Sequence, residues 1–153
     1  MPPSTTLHSS MERSRVDFQN RMNSWRPLGI ASLPGLLTIL VALGIIFIGI
    51  REFFYPGVGA RGFGVPLTDP RDGDLLAIKA ARDVVSGIVA LIFLALHDRR
   101  SLAWVMGGLS LIPFLDGLIV LRHAGWAYTP VILIHWGTVI LMLAIVALLG
   151  SGK

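Results

Sequence analysis

Four long runs of apolar residues constrain this chain more than any other feature of its sequence. The runs cover residues 28–50, 77–96, 102–121 and 129–149. Each approaches the roughly 20 residues that an α-helix needs to cross a hydrocarbon core about 30 Å thick. The chain has 153 residues, of which 54% are hydrophobic and 14% charged, and a mean hydropathy of +0.72. A soluble domain of this size could hardly keep so much apolar surface from water, so the sequence predicts an integral multi-pass membrane protein.

The connections between these runs predict how the spans are arranged. The tight turns at 97–100 and 122–126 make spans two, three and four antiparallel neighbours. Residues 51–76 form a much longer, Gly- and Pro-rich loop between spans one and two. We therefore expect an all-α fold, an antiparallel four-helix transmembrane bundle over residues 28–150. A polar segment at 1–27 precedes it, with a short amphipathic helix that carries Phe18, Met22 and Trp25 as an alternative to a frayed tail.

Charge and composition narrow the partners and the location. Basic residues are in modest excess on the side of the termini, which favours cytoplasmic termini under the positive-inside rule. The membrane would be the endoplasmic reticulum in a eukaryote or the inner membrane in a bacterium. The net charge of +4 comes from arginines at the membrane edges, and no basic run is interleaved with aromatic residues, so a nucleic-acid partner is not expected. The chain contains no cysteine, which excludes a thiolate nucleophile and a disulfide.

Ionisable residues within the spans predict a functional layer. Arg82 and Asp83 lie five or six residues inside the second span, and Asp116 and His135 lie equally deep in the third and fourth. At 1.5 Å rise per residue, all four reach roughly 8–9 Å from the same face. Charges inside a span are costly and usually face a bundle interior. Structural ion pairing would explain any one of these residues, whereas the whole layer adds groups that exchange protons near neutral pH.

Helical spacing extends this layer to neighbouring side chains. Lys79 and Ser86 share one stripe with Arg82 and Asp83, and Thr138 shares the face of His135. On the third span, Asp116 shares its face with three apolar residues: Leu109, Ile112 and Pro113. Trp136 lies too deep for an interfacial belt and could form the wall of an apolar pocket.

Two kinds of ligand site are not expected. Residues 57–62 match G-x-G-x-x-G, but they follow a membrane helix instead of a strand, so a dinucleotide site is excluded. No metal signature is present, and no metal or other cofactor is expected.

Several motifs in order resemble one known family. They are Arg61-Gly62-Phe63-Gly64, Lys79-x-x-Arg82-Asp83, Asp98-Arg99-Arg100, Asp116 with Arg122-His123, and His135. Over residues 28–149 the chain resembles small four-span membrane proteins of bacteria and fungi that are catalogued as a domain of unknown function. In general plan such proteins resemble small membrane enzymes that act on sterols, terpenoids and polyketides, and fungal relatives accompany biosynthetic clusters for such compounds. By analogy, the resemblance implies ring-forming or isomerising chemistry.

These observations lead to a hypothesis of function with two alternatives. The leading hypothesis is a cofactor-independent isomerase or cyclase for a hydrophobic natural-product intermediate, including a pericyclase of the intramolecular Diels–Alder type. His135 and Asp116 would transfer or share protons, Asp83 would orient Arg82, and Arg82 or Lys79 would stabilise negative charge on the substrate. Arg61 and Phe63 would belong to a lid. The first alternative is a non-catalytic binder or scaffold subunit in the bilayer. The second, a proton-coupled transporter, would require a homo-oligomer.

Overall fold

The computed structural model describes residues 11–17, 28–64, 67, 69 and 71–151. Within these ranges the chain is helical and contains no strand, so the predicted all-α class is confirmed. The helices are α1 (residues 11–17), α2 (Leu33–Phe54), α3 (Pro56–Gly62), α4 (Asp72–Ala95), α5 (Arg99–Leu109), α6 (Leu111–Ala124) and α7 (Thr129–Gly150), with a 3-10 turn at Gly125–Tyr128. Residues 18–27, which include Phe18, Met22 and Trp25 of the predicted amphipathic helix, lie outside the described residues.

The connection between the first two long helices is more ordered than the sequence predicts. Helix α2 continues to Phe54, four residues beyond the expected end of the first span, and α3 follows after a single residue. Pro56 explains both features. A residue before proline is disfavoured in the α region, and Tyr55 has φ −131° and ψ 64°. Proline itself is well suited to the first position of a helix, where Pro56 starts α3.

The turn between α4 and α5 is fixed by hydrogen bonds and a left-handed residue. His97 has φ 55°, and its Nδ1–H donates to the Leu28 carbonyl at 2.6 Å, while Leu28 N–H donates to the His97 carbonyl at 3.1 Å. Asp98 caps α5 by accepting from the backbone N–H groups of Arg100 and Ser101. The Ser101 hydroxyl also donates to Asp98, and this hydrogen bond lowers the pKa of the exposed Asp98 carboxyl. The turn therefore ties the start of α2 to the α4–α5 corner.

The predicted third span is two helices, not one. Helix α5 ends at Leu109 and α6 begins at Leu111. Proline inside a helix lacks an N–H donor, and its ring clashes with the carbonyl four residues earlier. Four residues before Pro113 is Leu109. The break therefore follows from Pro113, and the Ser110 hydroxyl at the junction donates to the Gly107 carbonyl at 2.7 Å.

The helices pack in two groups. Helix α2 lies along α4, while α5 and α6 both lie along α7. A Cβ atom at Gly49 would lie 2.7 Å from the Ala80 carbonyl oxygen, and one at Gly87 would lie 2.7 Å from the Ala42 carbonyl oxygen. Since the later residue of α2 meets the earlier residue of α4, these two helices run in opposite directions. Small residues at both points allow the backbones to approach closely.

The two ends of the helices have different interiors. A buried hydrophobic cluster fills the end that contains the early part of α2 and the late parts of α4 and α7; its members are Leu28, Val41, Ala42, Ala90, Leu94, Leu102, Met106, Met142, Ile145 and Leu149. At the other end, the same helices surround a cavity instead. The packed end holds the helices together, and the cavity end contains Lys79, Asp83, Asp116 and His135.

Two helical stretches are long and apolar enough to cross a membrane by length and composition, Leu33–Phe54 and Arg99–Gly150. The second stretch includes α5, α6 and α7. Helix α4 is not among them. Every 18-residue window within its bounds contains Lys79, Arg82 and Asp83. Lys79 and Asp83, which line the cavity, are thus among the charges that lower the apolar character of α4.

Candidate functional site

A cavity of about 320 Å³ lies between α2, α3, α4, α5, α6 and α7. Its volume is at the lower end of the range for small-molecule sites, roughly 300–1,000 Å³. Most of its wall is apolar, formed by Ile45, Ile48, Val58, Phe63, Leu109, Ile112, Pro113, Val131 and Ile134. Leu109, Ile112, Pro113 and Asp116 line it together, as their predicted common face requires. An apolar cavity with few polar groups is the usual form of a site for a hydrophobic ligand.

Lys79 is the centre of a buried ion cluster in this cavity. Its Nζ donates to Asp83 Oδ2 at 2.6 Å and to Glu52 Oε2 at 3.2 Å. The side chains of Lys79, Glu52 and Asp83 are only 17%, 9% and 10% exposed. Charge-assisted bonds of this kind are about twice as strong as neutral ones. The ammonium group is therefore held by two carboxylates from different helices.

Phe63 connects this cluster to His135. The Lys79 ammonium lies 4.6 Å from the centroid of the Phe63 ring. The same ring stacks on the His135 imidazole with centroids 5.2 Å apart and planes inclined by 29°. A cation within about 6 Å of a ring is attracted to its face. Phe63, which follows α3, thus orients a residue of α7 and contacts a residue of α4.

Asp116 and His135 are neighbours across the contact between α6 and α7. A Cβ atom at Gly117, the residue after Asp116, would lie 3.3 Å from His135 Cβ. Both side chains are half-buried and line the cavity, and their charges act on each other. The carboxylate of Asp116 accepts no hydrogen bond from the residues that the structure describes. A carboxyl group and an imidazole thus face one apolar space, and both can transfer protons.

The structure places the other predicted site residues differently. Ser86 and Thr138 line the cavity, but each hydroxyl donates to the carbonyl four residues earlier in its own helix, at 2.8 Å. Trp136 does not line it; its half-buried indole packs against Gly117, and the buried Nε1 has no hydrogen-bond partner among the described residues. Arg61 is exposed and lies outside the lining.

Arg82 and Lys79 share one predicted stripe, but the structure places them differently. Arg82 is exposed and does not line the cavity, although its charge still acts on Asp116. Lys79 points inward and pairs with Asp83. Asp83 therefore orients Lys79 in this structure, and a catalytic role for any of these residues stays a prediction.

Glu52 and Arg51 line the cavity, and sequence reasoning missed both. The expected end of the first span at Ile50 assigned them to a loop. One signal was available, because Glu52 follows Thr38 and Ile45 at intervals of seven residues, which keeps it near one helix face. Glu52 is buried, whereas Arg51 is exposed at the rim. Among the described residues, no group of three or more His, Asp or Glu side chains is arranged to hold a metal ion.

Comparison with known proteins identifies the family of this chain. A family model described as a domain of unknown function (DUF4267) matches residues 42–149. The chain belongs to this family. The DUF4267 region contains the ion cluster, Phe63, Asp116 and His135, and it begins within α2. No curated protein and no solved structure matches the chain.

Proposed function

We propose that this DUF4267 protein is a membrane-embedded isomerase or cyclase that acts on a hydrophobic terpenoid or polyketide intermediate by proton transfer. The observation that carries the proposal is that Asp116 and His135, on neighbouring helices, both line one largely apolar cavity. Both can give or accept a proton, and the ion cluster and Phe63 restrict how His135 lies. The chemistry needs no group beyond these side chains.

Membrane embedding is part of the same proposal. In addition to the two apolar stretches, large apolar side chains are exposed along the long helices, including Phe47 (67%), Trp104 (76%) and Ile140 (69%). In water such a surface would favour aggregation, whereas hydrocarbon accommodates it. We therefore propose that α2, α4, the α5–α6 pair and α7 form the four spans of an antiparallel transmembrane bundle. Lys79 and Asp83 of α4 would then face the cavity, where they pair with each other.

The proposed reaction moves one proton and shifts the position of one double bond. A basic group, His135 or the Asp116 carboxylate, removes a proton from a carbon beside a conjugated system. The C–H electrons form a new double bond, the electron pair of the adjacent double bond moves to the far carbon, and the conjugate acid or the second group delivers a proton there. The product has the composition of the substrate. In a cyclisation, a carbon–carbon bond forms between the two proton transfers, and orienting the substrate can contribute roughly 7–11 kcal/mol.

The experiment is turnover by reconstituted protein in heavy water. Candidate polyene and terpenoid precursors, and an organic extract of host membranes, are incubated with the protein, and products of equal composition are sought by mass spectrometry. Deuterium at the new C–H position shows that the proton came from an exchangeable group. His135→Gln and Asp116→Asn should each lower turnover by about 10²-fold or more. The matched controls His123→Gln and Asp98→Asn alter exposed residues and should retain it. If both site variants turn over substrate at the wild-type rate, the proton-transfer roles of His135 and Asp116 are refuted.

A non-catalytic binder is the second candidate, and one observation favours it. Lys79 is already bound by two carboxylates, as expected of an ion cluster that stabilises the fold. A binder would retain a ligand from the extract in the cavity without forming a product. Recovery of an unchanged ligand, with no deuterium incorporated, would therefore favour this candidate over catalysis.

A further inference from the structure

We infer that the cavity is selective for apolar molecules whose polar end donates a hydrogen bond, and that it rejects molecules with an anionic end. The inference names the substrate class for the proposed function and rests on that function only in using the same cavity. A hydroxyl or an ammonium group meets the requirement. A carboxylate or sulfonate does not.

The charges that line the cavity support this selectivity. Three carboxylates line it, those of Glu52, Asp83 and Asp116, against the cations of Lys79 and Arg51. Glu52 and Asp83 share one ammonium group, so this buried cluster retains one negative charge. A further anion in the same apolar space would meet like charge, which is costly where water is excluded.

The cation that the sequence would assign to an anionic substrate is already committed. Lys79 donates to two carboxylates and lies over the Phe63 ring. Its single positive charge is thus shared between two carboxylates, and a bound anion would compete with them for the same cation. Arg51 lines the cavity only at the exposed rim, in the last turn of α2.

Asp116 provides the complementary requirement for a donor. Its carboxylate lines the cavity, is half-buried and accepts no hydrogen bond from the residues that the structure describes. Its oxygens are therefore available as acceptors beside the apolar wall, and a ligand donor placed there would form a charge-assisted hydrogen bond. The neighbouring hydroxyls of Ser86 and Thr138 are used by their own helices. A ligand hydroxyl or ammonium placed against Asp116 would satisfy it.

Four probes with the same decyl chain test the inference: n-decanol, decylamine, decyl methyl ether and decyl sulfonate. The ether keeps the oxygen but lacks the donor, and the sulfonate carries a charge that does not titrate. Because the chain has no cysteine, Ile134→Cys labelled with bimane gives a single reporter at the cavity wall. Ile140→Cys is the matched reporter at a similarly exposed position of α7 that lies outside the cavity lining. Binding is compared in nanodiscs at equal mole fractions of probe in the bilayer.

The expected order is decanol and decylamine first, the ether about tenfold weaker and the sulfonate weaker still, with no such order at Ile140. Asp116→Asn should bring decylamine and the ether closer in affinity, since an amide also donates to the ether oxygen. Asp98→Asn removes an exposed charge and should leave the affinity for each probe unchanged. The inference is overturned if the sulfonate or the ether binds the wild-type reporter as tightly as decanol does. It is also overturned if the sulfonate binds and Arg51→Gln abolishes that binding. Failure of turnover in heavy water would leave this order unchanged, so the two proposals fail separately.

Discussion

Substitution of Lys79 by methionine tests the ion cluster most directly. Methionine retains most of the apolar length of lysine but removes the ammonium group. Glu52 and Asp83 are then left as two carboxylates, 9% and 10% exposed, without the cation that both contact. Removing one partner of a buried ion pair costs about 3–5 kcal/mol. Because Lys79 is itself 17% exposed, some water reaches the site, and we expect a loss near the lower end of this range.

The assay is reversible unfolding in mixed micelles, compared with a matched variant on the same helix. Arg82→Met removes a charge three residues further along α4, from an exposed position, and should change the free energy of unfolding by no more than about 0.5 kcal/mol. Asp83→Asn should cost more than Glu52→Gln because its contact with Lys79 is shorter, 2.6 Å against 3.2 Å. Equal losses for Lys79→Met and Arg82→Met would refute the buried cluster.

A compensating variant separates the loss of charge balance from simple loss of packing. When Glu52→Gln and Asp83→Asn are added to Lys79→Met, no buried charge remains at the cluster. Replacement of a whole buried ion cluster by neutral groups is often neutral or stabilising. Most of the stability should return. If the triple variant is no more stable than Lys79→Met alone, the lysine acts through its shape and not through its charge.

Three further substitutions test how the helices are positioned, each against a matched control. Gly117→Ala would place Cβ 2.5 Å from Trp136 Nε1; it should cost about 1–3 kcal/mol and shift the His135 NMR signals, whereas Gly107→Ala, with open space around its Cβ, should do neither. Gly87→Ala would place Cβ 2.7 Å from the Ala42 carbonyl oxygen and should destabilise the α2–α4 contact in the same unfolding assay, while Gly44→Ala in open space should not. Asp98→Ala should cost about 1 kcal/mol of α5 capping energy, and Asp98→Asn much less, because asparagine caps equally well. The Ser101 hydrogen bond lowers the pKa of Asp98. The charge-dependent part of the Asp98 stabilisation is therefore present above the unfolded-state pKa of about 3.9 and is lost as the pH falls through the lower folded-state pKa. A wild-type protein whose stability is no more acid-sensitive than that of Asp98→Asn would contradict this.

The sequence predicts the helical class and the apolar wall of α5 and α6 well. Long apolar runs that lack the apolar–polar alternation typical of strands leave few alternatives to helices. The described residues contain no strand. Leu109, Ile112, Pro113 and Asp116 follow helical spacing and do line one cavity. Spacing succeeds here although the helix breaks at Ser110, because one disturbed turn changes the face of the following residues only slightly.

The sequence predicts the ion cluster less well, because its two carboxylates come from separate elements. An apolar run ends at Ile50, and hydropathy alone therefore ends the span there. The helix continues to Phe54, where Pro56 stops it, and the extra turn brings Glu52 to 3.2 Å from Lys79. The contact joins residues 27 positions apart, and no local pattern encodes such a pairing. Gly59 adds to it from α3, where a Cβ would lie 2.9 Å from Glu52 Cγ.

The orientation of α4 explains why Lys79, and not Arg82, faces the cavity. The buried residues Ala80, Asp83, Gly87, Ala90 and Leu94 repeat at intervals of three and four, which defines one contact stripe toward α2. At 3.6 residues per turn, Lys79 lies roughly 60° from the centre of this stripe and Arg82 roughly 120° from it on the same side. Small residues allow α2 to approach along the stripe, and this approach fixes the rotation of the helix. Lys79 is then close enough to reach Glu52, and Arg82 is turned to the outside. Ala80, Gly87 and Ala90 carry no charge themselves, but they determine that Lys79, and not Arg82, enters the site.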